Sequence, residues 1–377
     1  MTDQHPALNT ISAGKLRLAN RAAVAPMSRV STHGDGVPTG AMTEYYRRFA
    51  AGGFGLVITE GTYTDREFAQ AYPNQPGMTT ETQEQAWRRI AEAIHAEGGT
   101  VFMQLMHGGA LSQHLSGTRA ASAIQPLRTM LAGYSRKQGL FPKPQAMNLA
   151  EIDAAIDGFV QAAQRAERAG FDGVEIHAAN GYLLDQFLTD YTNLREDQYG
   201  GPVRNRIRLT AEVITAVTRA VGSDFVTGVR LSQGKVNDFD YLWGGGLADG
   251  EVIFSAVHEA GADYIHFASE GQGFDHGCLT REGDSLTKLA RDVTGLPLIA
   301  NGGLHNPSEA RRILDEGHGD LVAIGTGALV NPDWPKKIAM GQRLLDFDPG
   351  MFGNGVDVES QFRWEASRDG DSHAMAA

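Results

Sequence analysis

A histidine, an asparagine and a tyrosine stand close together in this chain, at His177, Asn180 and Tyr182. They follow residues 171–176 (FDGVEI), whose alternating pattern predicts a buried strand that delivers all three into one loop. Histidine and asparagine can both donate hydrogen bonds to a single oxygen, and a nearby tyrosine can deliver a proton. The set could therefore hold an electron-poor substrate by a carbonyl or nitro oxygen and protonate it at a neighbouring atom.

Each of these residues also has a structural interpretation. A lone histidine on a strand is more often a core residue with satisfied hydrogen bonds, and a lone tyrosine is often a rim aromatic. The joint position of the three residues after one strand favours the functional interpretation.

Composition narrows the class of protein. The 377 residues fit one large barrel domain or two ordinary domains. The net charge of -12 argues against nucleic acid and anionic membranes as partners. A single cysteine, Cys278, excludes an intrachain disulfide and favours a cytoplasmic protein. We recognise no signal peptide and no apolar run near the ~20 residues of a membrane helix.

Short apolar runs alternate with helical segments along the whole chain. Strands are predicted at residues 22–26, 54–59, 100–105, 171–177, 225–231, 264–268, 297–301 and 321–325. Helices are predicted at residues 42–51, 82–97, 149–169, 204–221, 249–260, 285–294, 307–316 and 334–345. Eight strand–helix units in series predict an α/β TIM (β/α)8 barrel rather than a doubly wound open sheet.

Further segments complete this barrel. Residues 8–18 are predicted to form a hairpin that caps its bottom. Long loops are expected at its C-terminal face over residues 107–148 and 232–248, and the prolines and glycines of the first favour a lid. We expect one domain over residues 1–377, with a flexible tail at 366–377.

The chemistry of such a barrel gathers at the C-terminal ends of its strands. Glycines after the last two predicted strands expose backbone N–H groups, which suits a phosphate. Arg230 lies on an apolar strand and needs an acceptor or an anion there. Both Arg230 and Gln104, which ends the third predicted strand, also have a structural interpretation. Arg230 could form an ion pair inside the barrel, and Gln104 could satisfy the backbone of a loop. Because the chain has no HExxH motif, CxxC pair or carboxylate cluster, we expect no metal site.

The chain resembles the old yellow enzyme family of FMN-dependent ene-reductases. Residues 177–201 (HAANGYLLDQFLTDYTNLREDQYGG), followed by Asn205 and Arg206, carry the resemblance most specifically. It extends from residues 25–28 (APMS) to residues 330–335 (VNPDWP). The resemblance implies non-covalent FMN at the top of a TIM barrel. The residues that it places around FMN are Ala25, Pro26, Met27, Ser28, Gly61, Gln104, His177, Arg230, Asn301, Gly302, Gly303, Gly325 and Thr326.

The resemblance also implies an activity. NAD(P)H would reduce the flavin, and hydride would then pass from flavin N5 to the β-carbon of an α,β-unsaturated carbonyl or nitro compound. His177 and Asn180 match the pair that binds the substrate oxygen, and Tyr182 matches the donor of a proton to the α-carbon. The partners would be small molecules, without nucleic acid or membrane, and the protein a monomer or homo-oligomer.

Three positions depart from the usual family pattern. Thr326 stands where an arginine usually meets the phosphate, so the FMN clamp is expected to be weaker or rebuilt. Ser28 resembles the branch of the family that has threonine here. Residues 108–110 (GGA) replace a common Ala-Gly-Arg, which leaves the contacts of the lid open.

Other functions remain open from the sequence. An FMN-dependent dehydrogenase that oxidises an amine or a saturated cyclic substrate would share fold and cofactor. A flavin-free aldolase or isomerase barrel would need a Schiff-base lysine or a carboxylate base at a strand end. No lysine ends a predicted strand, but Glu60 and Glu270 could serve as bases. A flavin-binding sensor without turnover is disfavoured by the intact His177, Asn180 and Tyr182 set.

Overall fold

The computed structural model describes residues 4–269, 271–353 and 355–374, with side chains up to residue 368. The strands are β1 Ile11–Ala13, β2 Leu16–Leu18, β3 Ala22–Val24, β4 Leu56–Ile58, β5 Thr62–Tyr63, β6 Thr100–Met106, β7 Arg119–Ala120, β8 Gln145–Ala146, β9 Gly173–Asn180, β10 Val226–Lys235, β11 Tyr264–Ala268, β12 Leu298–Asn301 and β13 Leu321–Ile324. The helices are α1 Gly40–Ala51, α2 Glu81–Ala96, α3 Leu149–Arg168, α4 Leu183–Leu188, α5 Val203–Arg206, α6 Arg208–Ala220, α7 Leu247–Glu259, α8 Phe274–Gly277, α9 Leu286–Thr294, α10 Pro307–Asp315, α11 Thr326–Val330, α12 Trp334–Ala339 and α13 Val358–Ala374.

Eight parallel strands close into a barrel. Their hydrogen-bonded order is β3, β4, β6, β9, β10, β11, β12 and β13, and β13 pairs back onto β3 with Val322 opposite Ala22. The strands are short and apolar because both faces are covered, one by the barrel interior and one by helices. The predicted TIM barrel is therefore confirmed.

The barrel bottom is closed by the antiparallel hairpin of β1 and β2, which confirms the predicted cap. Leu16 and Leu18 of β2 are buried with Phe102, Val226 and Ile299 from the barrel strands. The interior of the barrel at its bottom end is therefore an apolar cluster.

Several element boundaries differ from the sequence prediction. β9 continues to Asn180 and β10 to Lys235, because the two strands still pair beyond a register shift, with Lys235 opposite Asn180. The helix predicted over 204–221 is two helices, α5 and α6. The helix predicted over 334–345 ends at Ala339, shortly before Gly341 turns the backbone to a φ of 62°.

The C-terminal segment packs back onto the barrel. Arg29 is buried and donates from Nε to the carbonyl oxygen of Val356 at 2.7 Å, and its guanidinium lies 5.7 Å from the ring centre of Phe352. α13 then runs through Ala374, within the region where the sequence predicts a flexible tail. Residues 375–377 of that tail lie outside the described residues, and its mobility stays a prediction.

Candidate active site

A cavity of about 720 Å³ opens at the C-terminal ends of the barrel strands, a volume typical of a cofactor or ligand site. The sequence-predicted residues that line it are Ala25, Pro26, Met27, Ser28, Gln104, His177, Asn180, Tyr182, Arg230, Asn301, Gly302, Gly303, Gly325 and Thr326. Gly61 is not among the lining residues. A Cβ there would lie 2.4 Å from Sδ of Met106, so this glycine permits close packing behind the wall.

Glycines after β12 and β13 shape one end of the cavity. Gly302 has a φ of 130°, and a Cβ at this position would lie 2.8 Å from the backbone nitrogen of Phe274. Gly303 has a φ of 70°, and Gly325 precedes α11. Side chains are excluded from the first of these positions by geometry, so the backbone itself forms the cavity wall. This arrangement suits an anionic phosphate, which backbone N–H groups bind well.

A carboxylate beneath the cavity organises several side chains. Glu175 of β9 is fully buried and accepts hydrogen bonds from Gln104 Nε2 at 2.8 Å, Tyr264 hydroxyl at 3.1 Å and His266 Nδ1 at 2.8 Å. Burial raises the pKa of Glu175, but the charges and donors of His266, Arg230 and Gln104 outweigh burial and lower the pKa overall. Glu175 is therefore an anion that balances the nearby Arg230 cation.

Two buried nitrogen atoms at the cavity have no hydrogen-bond partner among the residues that the structure describes. They are Nε of Arg230 and Nδ1 of His177, which sit opposite each other on β10 and β9. Buried polar atoms are normally satisfied, so their position points to a bound group that would supply acceptors. Burial, followed by the Arg230 charge, lowers the pKa of His177 to about 3. His177 is therefore a neutral imidazole at physiological pH, with one N–H to donate.

The sequence predicts that His177, Asn180 and Tyr182 lie in a loop after a strand, but the structure places His177 and Asn180 on the strand itself. His177 and Asn180 belong to β9, because β9 remains paired with β10 to its end, and Tyr182 caps α4. Asn180 has a φ of 64°, which turns the chain so that all three side chains reach the cavity. The rings of His177 and Tyr182 lie 5.1 Å apart.

Tyr72 is a residue that sequence reasoning missed. Its hydroxyl oxygen lies 2.6 Å from that of Tyr182, and its ring stacks on Tyr134 with centres 4.9 Å apart. Tyr72 and Tyr134 both line the cavity. No sequence motif around Tyr72 indicates that it lies there. The remaining apolar wall comes largely from loops and the C-terminal segment, through Leu131, Val236, Phe239, Leu304, Leu329, Phe347 and Phe352.

Of the two carboxylates considered as alternative bases, Glu60 is not placed to act in the cavity. Glu60 is buried outside the cavity and accepts hydrogen bonds from the backbone nitrogens of Arg29 at 2.8 Å and Val30 at 2.9 Å. Burial raises the pKa of Glu60 to about 7, yet its Oε2 is committed to these amides. Glu270 lies outside the described residues.

The described residues were also compared with the predictions on metal binding, the single cysteine and membrane helices. Within the described residues, no group of histidine, cysteine, aspartate or glutamate side chains could hold a metal ion. Cys278 is buried, and its Sγ lies 3.7 Å from the carbonyl oxygen of Asn301. Across the described part of the chain, no helix has the length and apolar character needed to cross a membrane. The cytoplasmic location stays a prediction.

A parallel barrel whose cavity combines a glycine wall, a buried arginine and a His–Asn–Tyr set fits the class of flavin-dependent barrel oxidoreductases. The family model described as NADH:flavin oxidoreductase / NADH oxidase matches residues 8–344. The chain belongs to this family, the old yellow enzymes. It is an NAD(P)H-dependent flavin oxidoreductase with FMN as its cofactor, which confirms the family, enzyme class and cofactor predicted from the sequence.

Individual relatives agree with this assignment. 12-oxophytodienoate reductase 2 of Arabidopsis thaliana is 32% identical over 354 residues, 92% of each chain. An old yellow enzyme homologue from Zymomonas mobilis superposes with a TM-score of 0.81 at 31% identity, covering 90% of this chain and 94% of that chain. Morphinone reductase in complex with tetrahydroNAD has a TM-score of 0.79 at 32% identity, covering 91% and 93% of the two chains.

Proposed function

We propose that this flavin oxidoreductase reduces activated alkenes, adding hydrogen across the double bond of an α,β-unsaturated carbonyl or nitro compound. When bound, FMN would supply the hydride chemistry that links oxidation of NAD(P)H to reduction of the alkene at its β-carbon. The observation that carries the proposal is that His177, Asn180 and Tyr182 line one cavity beside Arg230. Relatives named as reductases support reduction rather than oxidation as the direction of the reaction.

The residues around the cavity fit FMN. The glycine wall of Gly302 and Gly303 would hold the phosphate through backbone N–H groups. Arg230 would face the isoalloxazine ring with its unpartnered Nε, and Gln104 would contact the pyrimidine side. Because Glu175 already fixes Gln104 through a 2.8 Å hydrogen bond, this contact is preorganised.

His177 and Asn180 would bind the carbonyl or nitro oxygen of the substrate. A neutral imidazole donates one hydrogen bond and a carboxamide donates another. Negative charge grows on the oxygen as hydride reaches the β-carbon, so both hydrogen bonds strengthen toward the transition state. The pair therefore acts as an oxyanion hole.

Tyr182 would protonate the α-carbon. A phenol with a reference pKa of ~10 is protonated at neutral pH and has a proton to give. Tyr182 has only one hydroxyl hydrogen, so when it points to substrate, Tyr72 must be the donor of the 2.6 Å hydrogen bond between the two. A donated hydrogen bond stabilises the phenolate that forms when Tyr182 gives up its proton.

The decisive experiment mixes the FMN-loaded, NADPH-reduced protein with cyclohexenone in the absence of oxygen. We expect the flavin to reoxidise and cyclohexanone to form. The competing dehydrogenase function predicts the reverse result, in which a saturated ketone or amine reduces the oxidised flavin. Absence of enone-driven reoxidation, with or without that reverse reaction, would reject the proposal.

Loss of either oxygen-binding residue should weaken the binding of phenols, whose oxyanion imitates the negative substrate oxygen. Each hydrogen bond to a charged acceptor contributes ~1.5–3 kcal/mol, so His177→Ala or Asn180→Ala should lower affinity roughly ten- to a hundredfold. The measurement is titration of the long-wavelength absorbance of the phenol–flavin complex. If both variants bind phenols as the wild type does, the oxygen site lies elsewhere.

A cation at position 326 should tighten FMN binding. Among the described cavity-lining residues, the guanidinium groups are those of Arg29 and Arg230, and Arg29 is engaged by the C-terminal segment. Thr326→Arg would add a charge-assisted bond to phosphate, worth roughly ten- to a hundredfold in affinity. FMN dissociation is measured by fluorescence, with Thr326→Gln as the uncharged control. Unchanged or weaker binding in Thr326→Arg would mean that another cation already serves the phosphate.

A further inference from the structure

The end of β10 packs against one side of the turn that joins Asn180 to Tyr182. We call residues 232–236 (SQGKV) the β10 bracket. It lies in the segment that the sequence predicts to be an irregular loop, yet Lys235 is only 2% exposed. A buried lysine is costly unless its charge is paired, so its presence here requires a reason.

The buried lysine is fully paired by fixed neighbours. Nζ of Lys235 donates to both carboxylate oxygens of Asp185 at 2.9 Å and to the carbonyl oxygen of Gln233 at 2.8 Å. It also lies 4.5 Å from the ring centre of Tyr241. The three donors of an ammonium group are thereby all engaged, which fixes where the Asp185 carboxylate can be.

Asp185 is also hydrogen-bonded to the turn, so a fixed carboxylate fixes the turn as well. Its Oδ2 accepts the backbone N–H of Gly181 at 2.6 Å, and Gly181 joins Asn180 to Tyr182. Gly181 has a φ of 87°, and a Cβ on it would lie 3.2 Å from Cβ of Lys235. The turn therefore packs directly against the bracket, and a side chain at position 181 would crowd Lys235.

Two more contacts from the β10 bracket hold Asn180 itself. Ser232 Oγ accepts the backbone N–H of Asn180 at 2.9 Å, and the backbone N–H of Val236 donates to the carbonyl oxygen of Asn180 at 3.1 Å. Ser232 is held in turn by donating to the carbonyl oxygen of Gly234 at 2.8 Å. Both backbone groups of Asn180, a residue with a left-handed φ of 64°, are thus fixed from one element.

We propose that the β10 bracket is the positioning device of the oxygen site, and that Lys235 is a positioning residue that acts through Asp185 on Asn180 and Tyr182. The proposal rests on the proposed function, because it takes the Asn180 side chain to bind the substrate oxygen. Lys235 does not touch the substrate. Its pairing holds the turn in the one backbone geometry that brings the Asn180 donor into the cavity, and preorganised donors bind developing charge most effectively.

The test is a double-mutant cycle on phenol binding. Lys235→Met in the holoenzyme should weaken phenol binding about tenfold, since coupled neighbouring residues show interaction energies of this order. In the Asn180→Ala background the same change should have less than about a twofold effect, because the group that Lys235 positions is absent. Equal effects of Lys235→Met in both backgrounds would overturn the proposal.

Two further variants separate positioning from loss of folding. Ser232→Ala removes the acceptor of the Asn180 N–H without leaving a buried charge, and it should also weaken phenol binding in a manner that depends on Asn180. Lys15→Met breaks an ion pair with Asp263, at 3.1 Å, in the hairpin cap at the opposite end of the barrel from the turn. It should lower the melting temperature and leave phenol affinity unchanged.

These outcomes distinguish the proposed oxygen site from the proposed positioning role of the β10 bracket. If Asn180→Ala itself binds phenols normally, the proposed oxygen site is wrong. If Asn180→Ala weakens binding but Ser232→Ala and Lys235→Met do not, the oxygen site stands and the bracket has no positioning role. If Lys235→Met does not fold, Ser232→Ala alone decides, and wild-type phenol affinity in that variant overturns the proposal.

Discussion

Tyr182→Phe is expected to slow reoxidation of the reduced protein by an enone about 10²–10⁴-fold, the usual size of a general-acid contribution. The substitution keeps the ring that packs 5.1 Å from the His177 ring and removes only the hydroxyl. Reduction of FMN by NAD(P)H requires no proton from this residue, so its rate should barely change. Stopped-flow flavin absorbance measures the two half-reactions separately.

Two comparisons make this result specific to proton transfer. A nitroalkene should still accept hydride in Tyr182→Phe, because its nitronate is stable enough to leave and be protonated in solvent. Tyr72→Phe provides the matched control, since it removes the hydroxyl 2.6 Å away but leaves the proton of Tyr182 in place. Its effect on the enone should stay well below that of Tyr182→Phe. Equal enone rates in Tyr182→Phe and wild type would remove Tyr182 from the mechanism.

The barrel could be predicted because the apolar runs, the helix caps and the glycine positions in the sequence all agree with it. Its strands are short apolar runs, and helices such as α2 and α3 begin with capping boxes at Thr80 and Asn148. Glycines after the last two barrel strands indicate where the backbone itself forms the cavity wall. These signals are local, so they can be recognised without knowledge of the fold. Because the C-terminal ends of barrel strands lie together, the predicted strands also place Arg230 and His177 at one end of the barrel.

Contacts between residues that are far apart in the sequence could not be predicted. Tyr72 meets Tyr182 from 110 residues away, and Arg29 holds the C-terminal segment through Val356, 327 residues away. The sequence predicts a long loop over residues 232–248, which includes Lys235. The strand persists there because of pairing with Asn180 and the buried ion pair with Asp185. Such contacts depend on loop paths, which hydrophobic periodicity does not encode.

Glu175→Leu is expected to lower the free energy of unfolding by about 3–5 kcal/mol, the range for breaking a buried charged network. Leucine fits an apolar site but accepts no hydrogen bond, so Gln104, Tyr264 and His266 each lose an acceptor inside the barrel. An unsatisfied buried donor costs about 1–3 kcal/mol. Arg230 would also lose its counter-charge, so FMN affinity should fall with stability.

Glu175→Gln separates hydrogen bonding from charge. Its amide oxygen can still accept, so the loss of stability should be clearly smaller than in Glu175→Leu. Glu44→Leu is the surface control, because Glu44 pairs with Arg47 while 47% of its side chain is exposed, and exposed pairs contribute at most about 1 kcal/mol. Urea unfolding at saturating FMN, followed by tryptophan fluorescence, compares the three variants.

The pH dependence of stability provides an independent check on the same carboxylate. Because the pKa of Glu175 is lowered in the folded protein, its ionised form stabilises the fold above the unfolded pKa of ~4.3. That contribution is lost as pH falls from there through the lower folded pKa. Glu175→Gln should therefore lose less stability than wild type over this acidic range. If instead Glu175→Leu unfolds at the same urea concentration as Glu175→Gln and both keep wild-type acid sensitivity, the buried donors have other acceptors and Glu175 does not organise the floor of the cavity.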